Sequence, residues 1–266
     1  MNVTLYSIAL IVGLAIGSFL NVCICRIPAG LSVVHPPSRC PSCRTPIRPI
    51  DNIPVLSFLL LRGKCRSCGA SISWRYPVIE AMTGIAFVLV YYKYGLSASA
   101  LAAAFFVSVL IVVSFIDLDT ERIPNKIILP ALAMGALVAL PGFFGFEVVP
   151  LVGSGPLQPV IGFLAAGGSL LAIALIAPLF FKKDAMGGGD VKLAAFAGLF
   201  LGGYAMVALF LSFLIGAIAG AIVLIFGIRK RGETIPFGPF IALGSIVAMA
   251  AGPQIWRAYL SAAGLS

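Results

Sequence analysis

Seven stretches of this chain, residues 3–24, 77–92, 97–116, 127–146, 160–181, 193–228 and 236–254, are almost free of charged side chains. A helix needs roughly 20 apolar residues to cross a bilayer, and the run at 193–228 is long enough for two such helices. Charged residues make up only 10% of the chain and its mean hydropathy is +1.10, whereas a soluble domain carries about 25% charge. So few polar groups cannot cover a water-facing surface, so lipid must solvate most of the chain. The expected fold is an all-α polytopic membrane protein with about eight transmembrane helices. The first run has no basic segment before it and reads as a retained first helix, not a cleaved signal.

The net charge of +9 raises the question of nucleic acid, and its distribution answers it. With eight helices and the N-terminus outside, sixteen of the eighteen Lys and Arg residues fall on one side, leaving only Lys93 and Arg257 on the other. This is the asymmetry that a cytosolic face carries. Basic loops beside anionic lipid headgroups need no nucleic acid to explain them. The oligomeric state is not legible.

Residues 26–76 differ in kind: they hold eight of the eighteen basic residues, seven prolines and four cysteines. They divide the chain into a first helix (1–25), a cytosolic insert (26–76) and a membrane domain (77–266). An insert this small cannot build a sufficient apolar core and needs a staple. Cys40, Cys43, Cys65 and Cys68 form C-x2-C-x21-C-x2-C, the pattern of two knuckles presenting four thiolates to a tetrahedral Zn²⁺. An iron–sulfur cluster or a redox pair would use the same residues. A reducing cytosol disfavours disulfides, and a closed four-sulfur site is structural because it leaves no coordination position open. Gly69 suits a tight knuckle. Cys23 and Cys25, at the end of the first helix, read as small buried apolar residues.

In the membrane domain, Pro124 suits the first turn of a helix. The stretch from Asp190 to Gly202-Gly203 is short, at roughly 20 Å of helix. Either this helix lines a water-filled cavity or its end lies beyond Gly203. Gly216 and Gly220 have the spacing of a close helix crossing.

Few residues can do chemistry. The single histidine, His35, sits in a proline-rich segment with no nucleophile motif beside it, and HExxH is absent. That leaves nine acids: Asp51, Glu80, Asp117, Asp119, Glu121, Glu147, Asp184, Asp190 and Glu233. Ionisable groups at membrane depth are expensive and are functional candidates by default. Asp117 and Asp190 each lie at the cytosolic end of a helix, in separate hairpins that could fold together. Two close carboxylates do not both ionise readily, so one keeps a proton. One can then deprotonate water while the other protonates a scissile carbonyl, the logic of an aspartic protease. Gly187, Gly188 and Gly189 remove side chains from the approach to Asp190 and permit unusual backbone angles. A proton-coupled transporter with a pair of acids would use the same residues, although it would place them nearer helix middles and within inverted repeats.

Phe115-Ile116-Asp117-Leu118-Asp119 followed by Ile123-Pro124-Asn125, then Gly187-Gly188-Gly189-Asp190-Val191-Lys192, resemble the two signature segments of bacterial type IV prepilin peptidases. Gly17-Ser18-Phe19-Leu20-Asn21, the two CxxC pairs, and Trp74-Arg75-Tyr76-Pro77 with Glu80 resemble the N-terminal part of that family. The resemblance runs from residue 13 to about 200 and implies a GxGD-type aspartyl protease, with Asp117 and Asp190 as the catalytic pair. It implies cleavage after a glycine in the leader of a prepilin or pseudopilin, with no covalent intermediate. It also implies methylation of the new N-terminus with S-adenosylmethionine, associated with the zinc-bearing insert; a peptidase without the methyltransferase activity is the alternative. The basic leaders of such substrates would meet the acids Asp119, Glu121 and Asp184.

Overall fold

The computed structural model describes residues 3–146, 148–181, 186–227 and 235–264. The charge-free runs become helices: α1 (Val3–Arg26), α3 (Arg75–Tyr94), α4 (Ala98–Thr120), α5 (Asn125–Ala139), α6 (Gln158–Gly162), α7 (Gly168–Phe181), α8 (Gly188–Leu201), α9 (Ala205–Ile225) and α10 (Gly238–Ala262), with the short α2 (Leu56–Leu60) in the insert. A π-helical turn, Phe163–Gly167, joins α6 to α7. There are no strands among the described residues, only two isolated bridges. Six described segments are long and apolar enough to span a membrane. One of these, Gly188–Ile225, comprises α8 and α9, and α3 is a further helix of 20 residues. Together they supply the eight long segments expected of a multi-pass membrane protein.

The helix ends follow local chemistry. Ser97 Oγ accepts the Ala100 N–H at the start of α4. Gly95, at φ 62, closes α3 with its N–H on the Tyr91 carbonyl, a backbone conformation that favours glycine. Pro124 is the extended residue before α5, one position earlier than expected. α10 bends at Ala251 (φ −134, ψ 16), where Pro253 interrupts the helical ladder.

The chain forms two units, residues 1–100 and 101–266. In the first, α1 and α3 pack through glycines. A Cβ on Gly13 would sit 2.8 Å from Gly84 Cα, and one on Gly17 would sit 2.7 Å from Glu80 Cα. Such contact between small residues lets helices associate in lipid, where no hydrophobic effect separates them from the tails.

In the second unit, α8 is the core. Every residue from 193 to 201 is buried, and α5, α6, α7, α9 and α10 pack around it. This explains its length. Gly202, at φ 57, ends it after 14 residues, about 21 Å of helix, and a helix enclosed by protein does not have to match the bilayer. The burial corrects the expectation of a water-filled cavity along it. Phe106, Phe196 and Phe200 stack across this core, with Phe106 and Phe200 ring centroids 4.9 Å apart. The closest crossing lies at Gly162 and Gly198, where a Cβ on either would strike the backbone of the other. Gly216 and Gly220 are less constrained: they face the rings of Phe240 and Phe237 and the tip of Ile235.

Candidate active site and zinc centre

Asp117 lies in the last turn of α4 and is 4% exposed. Asp190 lies in the first turn of α8 and is half-buried. The two carboxyl groups are within coulombic range of one another, although they belong to different helices. Three helix N-termini meet the end of α4 here. Gly238, first in α10, donates its N–H to Asp117 Oδ2 at 2.9 Å. Gly187, before α8, lies against the Asp190 carboxyl. Asn125, first in α5, accepts from Lys192 Nζ at 2.8 Å. Helix N-termini carry partial positive charge and favour carboxylates near them.

The glycine triplet does not adopt unusual angles. Gly187 has φ −70 and ψ 139, which any residue can adopt. What constrains the segment is proximity: a Cβ on Gly189 would lie 2.8 Å from Ile123 Cβ, one on Gly187 3.2 Å from Asp190 Oδ2, and one on Gly188 would meet nothing within 4 Å. Gly189 against Ile123 and Lys192 against Asn125 lock the start of α8 to the turn between α4 and α5, which fixes the position of Asp190 relative to Asp117.

Asp119 and Glu121 are exposed. Asp119 is two residues beyond Asp117 and therefore points to another side of the helix. Glu121, at φ 51, is close enough to act electrostatically on Asp117. Asp184 lies outside the described residues. His35 is exposed in the insert. Gly238 carried no motif that would single it out; its role rests on a contact with a residue 121 positions away.

In the first unit, the ligand atoms of Cys40, Cys43, Cys65 and Cys68 all lie within 4.8 Å of one another, and Cys40 Sγ is 3.8 Å from Cys68 Sγ. Zn–S bonds of about 2.3 Å put tetrahedral sulfurs about 3.8 Å apart, so the four residues fit zinc. The two knuckles repeat one another. Arg44 and Gly69 each bond back to the first cysteine of their pair, and each pair's first cysteine donates to a carbonyl five residues on, Thr45 or Ala70. Arg44 (φ 58) and Gly69 (φ 72) occupy the same left-handed position, so the glycine expected for a tight knuckle is there and arginine takes its place in the other. The Thr45 hydroxyl beside Cys43 favours its thiolate, bringing that thiol down to about 6. The backbone amides of Cys68 and Ser67 hold the Cys65 thiol below its usual range. Both effects suit metal binding, which requires thiolates, whereas the Cys68 thiol, despite its bond to the Ala70 backbone, is pushed up to about 11 by the neighbouring cysteines. Arg66 grips Asp51 with Nε and Nη2, the shortest contact being 2.6 Å, and so ties the 3-10 turn at Pro49–Asn52 to the second knuckle.

A pair of acids at helix ends, among apolar helices, has the arrangement that a membrane-embedded aspartic peptidase would use, whereas a transporter would place its acids nearer helix middles. Residues 11–94 match the Bacterial Peptidase A24 N-terminal domain and residues 104–225 match the Type IV leader peptidase family; the chain belongs to that family. Similar curated proteins include a prepilin leader peptidase/N-methyltransferase of Bacillus subtilis (strain 168), 38% identical over 97% of this chain and 98% of its own length. Proteins of the same name from Neisseria gonorrhoeae (36%; 94% of this chain and 92% of that protein) and Pseudomonas aeruginosa (35%; 96% and 93%) are also similar. No solved structure matches the chain.

Proposed function

We propose that this protein cleaves the leader of type IV prepilins or pseudopilins at the cytosolic face of the bacterial inner membrane, and methylates the N-terminus that cleavage exposes. The observation that carries the peptidase reading is the convergence of Asp117 and Asp190, brought together from two helix ends. One carboxylate takes a proton from water as the oxygen attacks the scissile carbonyl. The other, protonated, gives its proton to the carbonyl oxygen. As the resulting gem-diol collapses, the first carboxyl passes the proton it took from water to the leaving amine and the second takes one back from a gem-diol hydroxyl, with no covalent enzyme intermediate. Gly187, Gly188 and Gly189 border Asp190 and keep the approach of a peptide backbone clear. The apolar helix of the substrate lies in lipid, and Asp119, Glu121 and Asp184 meet its basic leader.

In this reading residues 1–25 anchor the chain, 26–76 form the cytosolic zinc-holding segment associated with methyl transfer, and 77–266 carry the peptidase. Zinc held by Cys40, Cys43, Cys65 and Cys68 is structural. S-adenosylmethionine supplies an electrophilic methyl group when bound. The test is prepilin cleavage in proteoliposomes by wild type, Asp117→Asn, Asp190→Asn and Asp119→Asn. Loss in the first two variants with the third active supports the pair as assigned, and activity surviving in either of the first two removes it. Transfer of labelled methyl to a cleaved pilin N-terminus separates the bifunctional reading from a peptidase alone.

A further inference from the structure

The first unit holds a partly open cavity of about 770 Å³ that runs from the cytosolic half of α1 to the zinc knuckles, within the range of about 300–1,000 Å³ typical of small-molecule sites. We infer that this cavity is the methyl-donor site and holds S-adenosylmethionine against a wall made by the zinc module; the inference rests on the methyltransferase reading above.

The lining carries the argument. Glu80 and Asn21 stand in it at 8% and 5% exposure. Glu80 Oε2 accepts the Val55 N–H at 2.8 Å, and Asn21 Nδ2 donates to the Tyr76 carbonyl at 3.1 Å. These bonds hold α1, α3 and the insert around one space. Val55 takes φ 61 to make its contact, a conformation that a β-branched residue adopts only when its surroundings enforce it. Arg39 and Asp51 bring both signs of charge to the same cavity. The donor is a zwitterion with a sulfonium: a carboxylate for an arginine, and two cationic centres for acids and an aromatic ring. Purely apolar acyl chains would leave these polar groups facing hydrocarbon, an arrangement that is strongly unfavourable. Cys40 and Cys65 also line the cavity, so zinc would act on methyl transfer by holding a wall in place, without touching the reacting atoms.

Cys25 provides a readout in the unmodified protein. It is exposed, lines the cavity and has its sulfur 3.7 Å from Tyr76 Oη. The experiment measures maleimide alkylation of Cys25 by peptide mass spectrometry on zinc-loaded protein in nanodiscs, with and without S-adenosylhomocysteine, alongside methyl transfer by the same sample. At ten times its Kd the ligand should slow Cys25 labelling about tenfold. Methyl transfer without any protection of Cys25 overturns the cavity assignment and leaves the methyltransferase reading intact. Absence of both protection and methyl transfer removes that reading and the inference with it. Labelling blocked by lipid alone, and released in detergent without the ligand, makes the space a lipid site and also overturns the inference. A second measurement uses Ser18→Leu, which places a larger side chain in the cavity wall. The variant should bind S-adenosylhomocysteine at least ~10-fold more weakly by calorimetry while retaining its zinc; unchanged affinity in zinc-loaded protein counts against the site.

Discussion

The backbone N–H of Gly238 donates to Asp117 Oδ2 at 2.9 Å, and a Cβ at Gly238 would stand 2.7 Å from that same oxygen. The first residue of α10 thus orients one carboxylate of the pair, and it can do so only without a side chain. Gly238→Ala keeps the N–H and the helix but forces the carboxylate or the helix to move. Misplacing a reacting group by about 1 Å can lower the rate about 100-fold, so kcat/KM for prepilin cleavage should fall by about that factor with the thermal midpoint close to wild type. Cleavage at the wild-type rate would show that Asp117 does not need this contact.

The three glycines before Asp190 should respond differently to alanine. At Gly188 a Cβ meets open space, and alanine favours a helix over glycine by about 1 kcal/mol. Gly188→Ala should therefore melt no lower and lose at most a few-fold in cleavage rate, since it narrows only the approach of the substrate. At Gly189 the Cβ would press on Ile123 at 2.8 Å, in the turn that positions α8 against α4. Gly189→Ala should lose most of its activity. Equal tolerance at the two positions, measured as initial cleavage rates, would sink the account of Gly189 as a packing residue.

Much of this fold is legible in the chain because the physics behind it is local. Runs without charge have one stable solution in lipid, so the eight long helical segments follow from their lengths. The knuckles follow from cysteine spacing, since four thiolates have few ways to meet a metal. Asp117 and Asp190 stand out because acids at membrane depth are rare. The remainder depends on which surfaces meet. Gly13 and Gly17, and Gly198 and Gly202, share the four-residue spacing of Gly216 and Gly220. Only the packed structure shows that the first two pairs lie at close crossings while the third faces side chains. Nothing near Gly238 in the chain points to Asp117. The length of α8 has meaning only once its neighbours are seen to bury it.

The glycine crossings lead to a stability prediction. Gly198 faces the Gly162 carbonyl too closely for any Cβ, whereas a Cβ on Gly220 would sit 3.8 Å from Ile235 Cδ1, an ordinary contact. Forcing extra volume into a packed interior costs typically 1–3 kcal/mol. Gly198→Ala should lower the unfolding midpoint in detergent by several degrees, and Gly220→Ala should leave it nearly unchanged. The reverse order would mean that α9, not α8, is the tightly packed helix.

Zinc removal should separate the two activities. The knuckles belong to the first unit and the aspartate pair to the second, and a structural metal contributes directly to the folding of the segment that binds it. Stripping zinc with a chelator, or Cys40→Ser, should release the metal and expose the remaining thiols to labelling. Residues 27–74 should then become more sensitive to protease, since without the metal their tethers reduce mainly to the Asp51–Arg66 pair, the Val55 N–H on Glu80 and the Phe58–Trp74 contact, with ring centroids 4.7 Å apart. Methyl transfer should fall at least ~10-fold, because a cavity wall built on Cys40 and Cys65 is lost and metal-site disruption typically costs 10–100-fold. Cleavage of a prepilin should stay within a few-fold of the holoprotein. Parallel loss of both activities at matched zinc occupancy would instead make the insert part of the route by which substrate reaches Asp117 and Asp190.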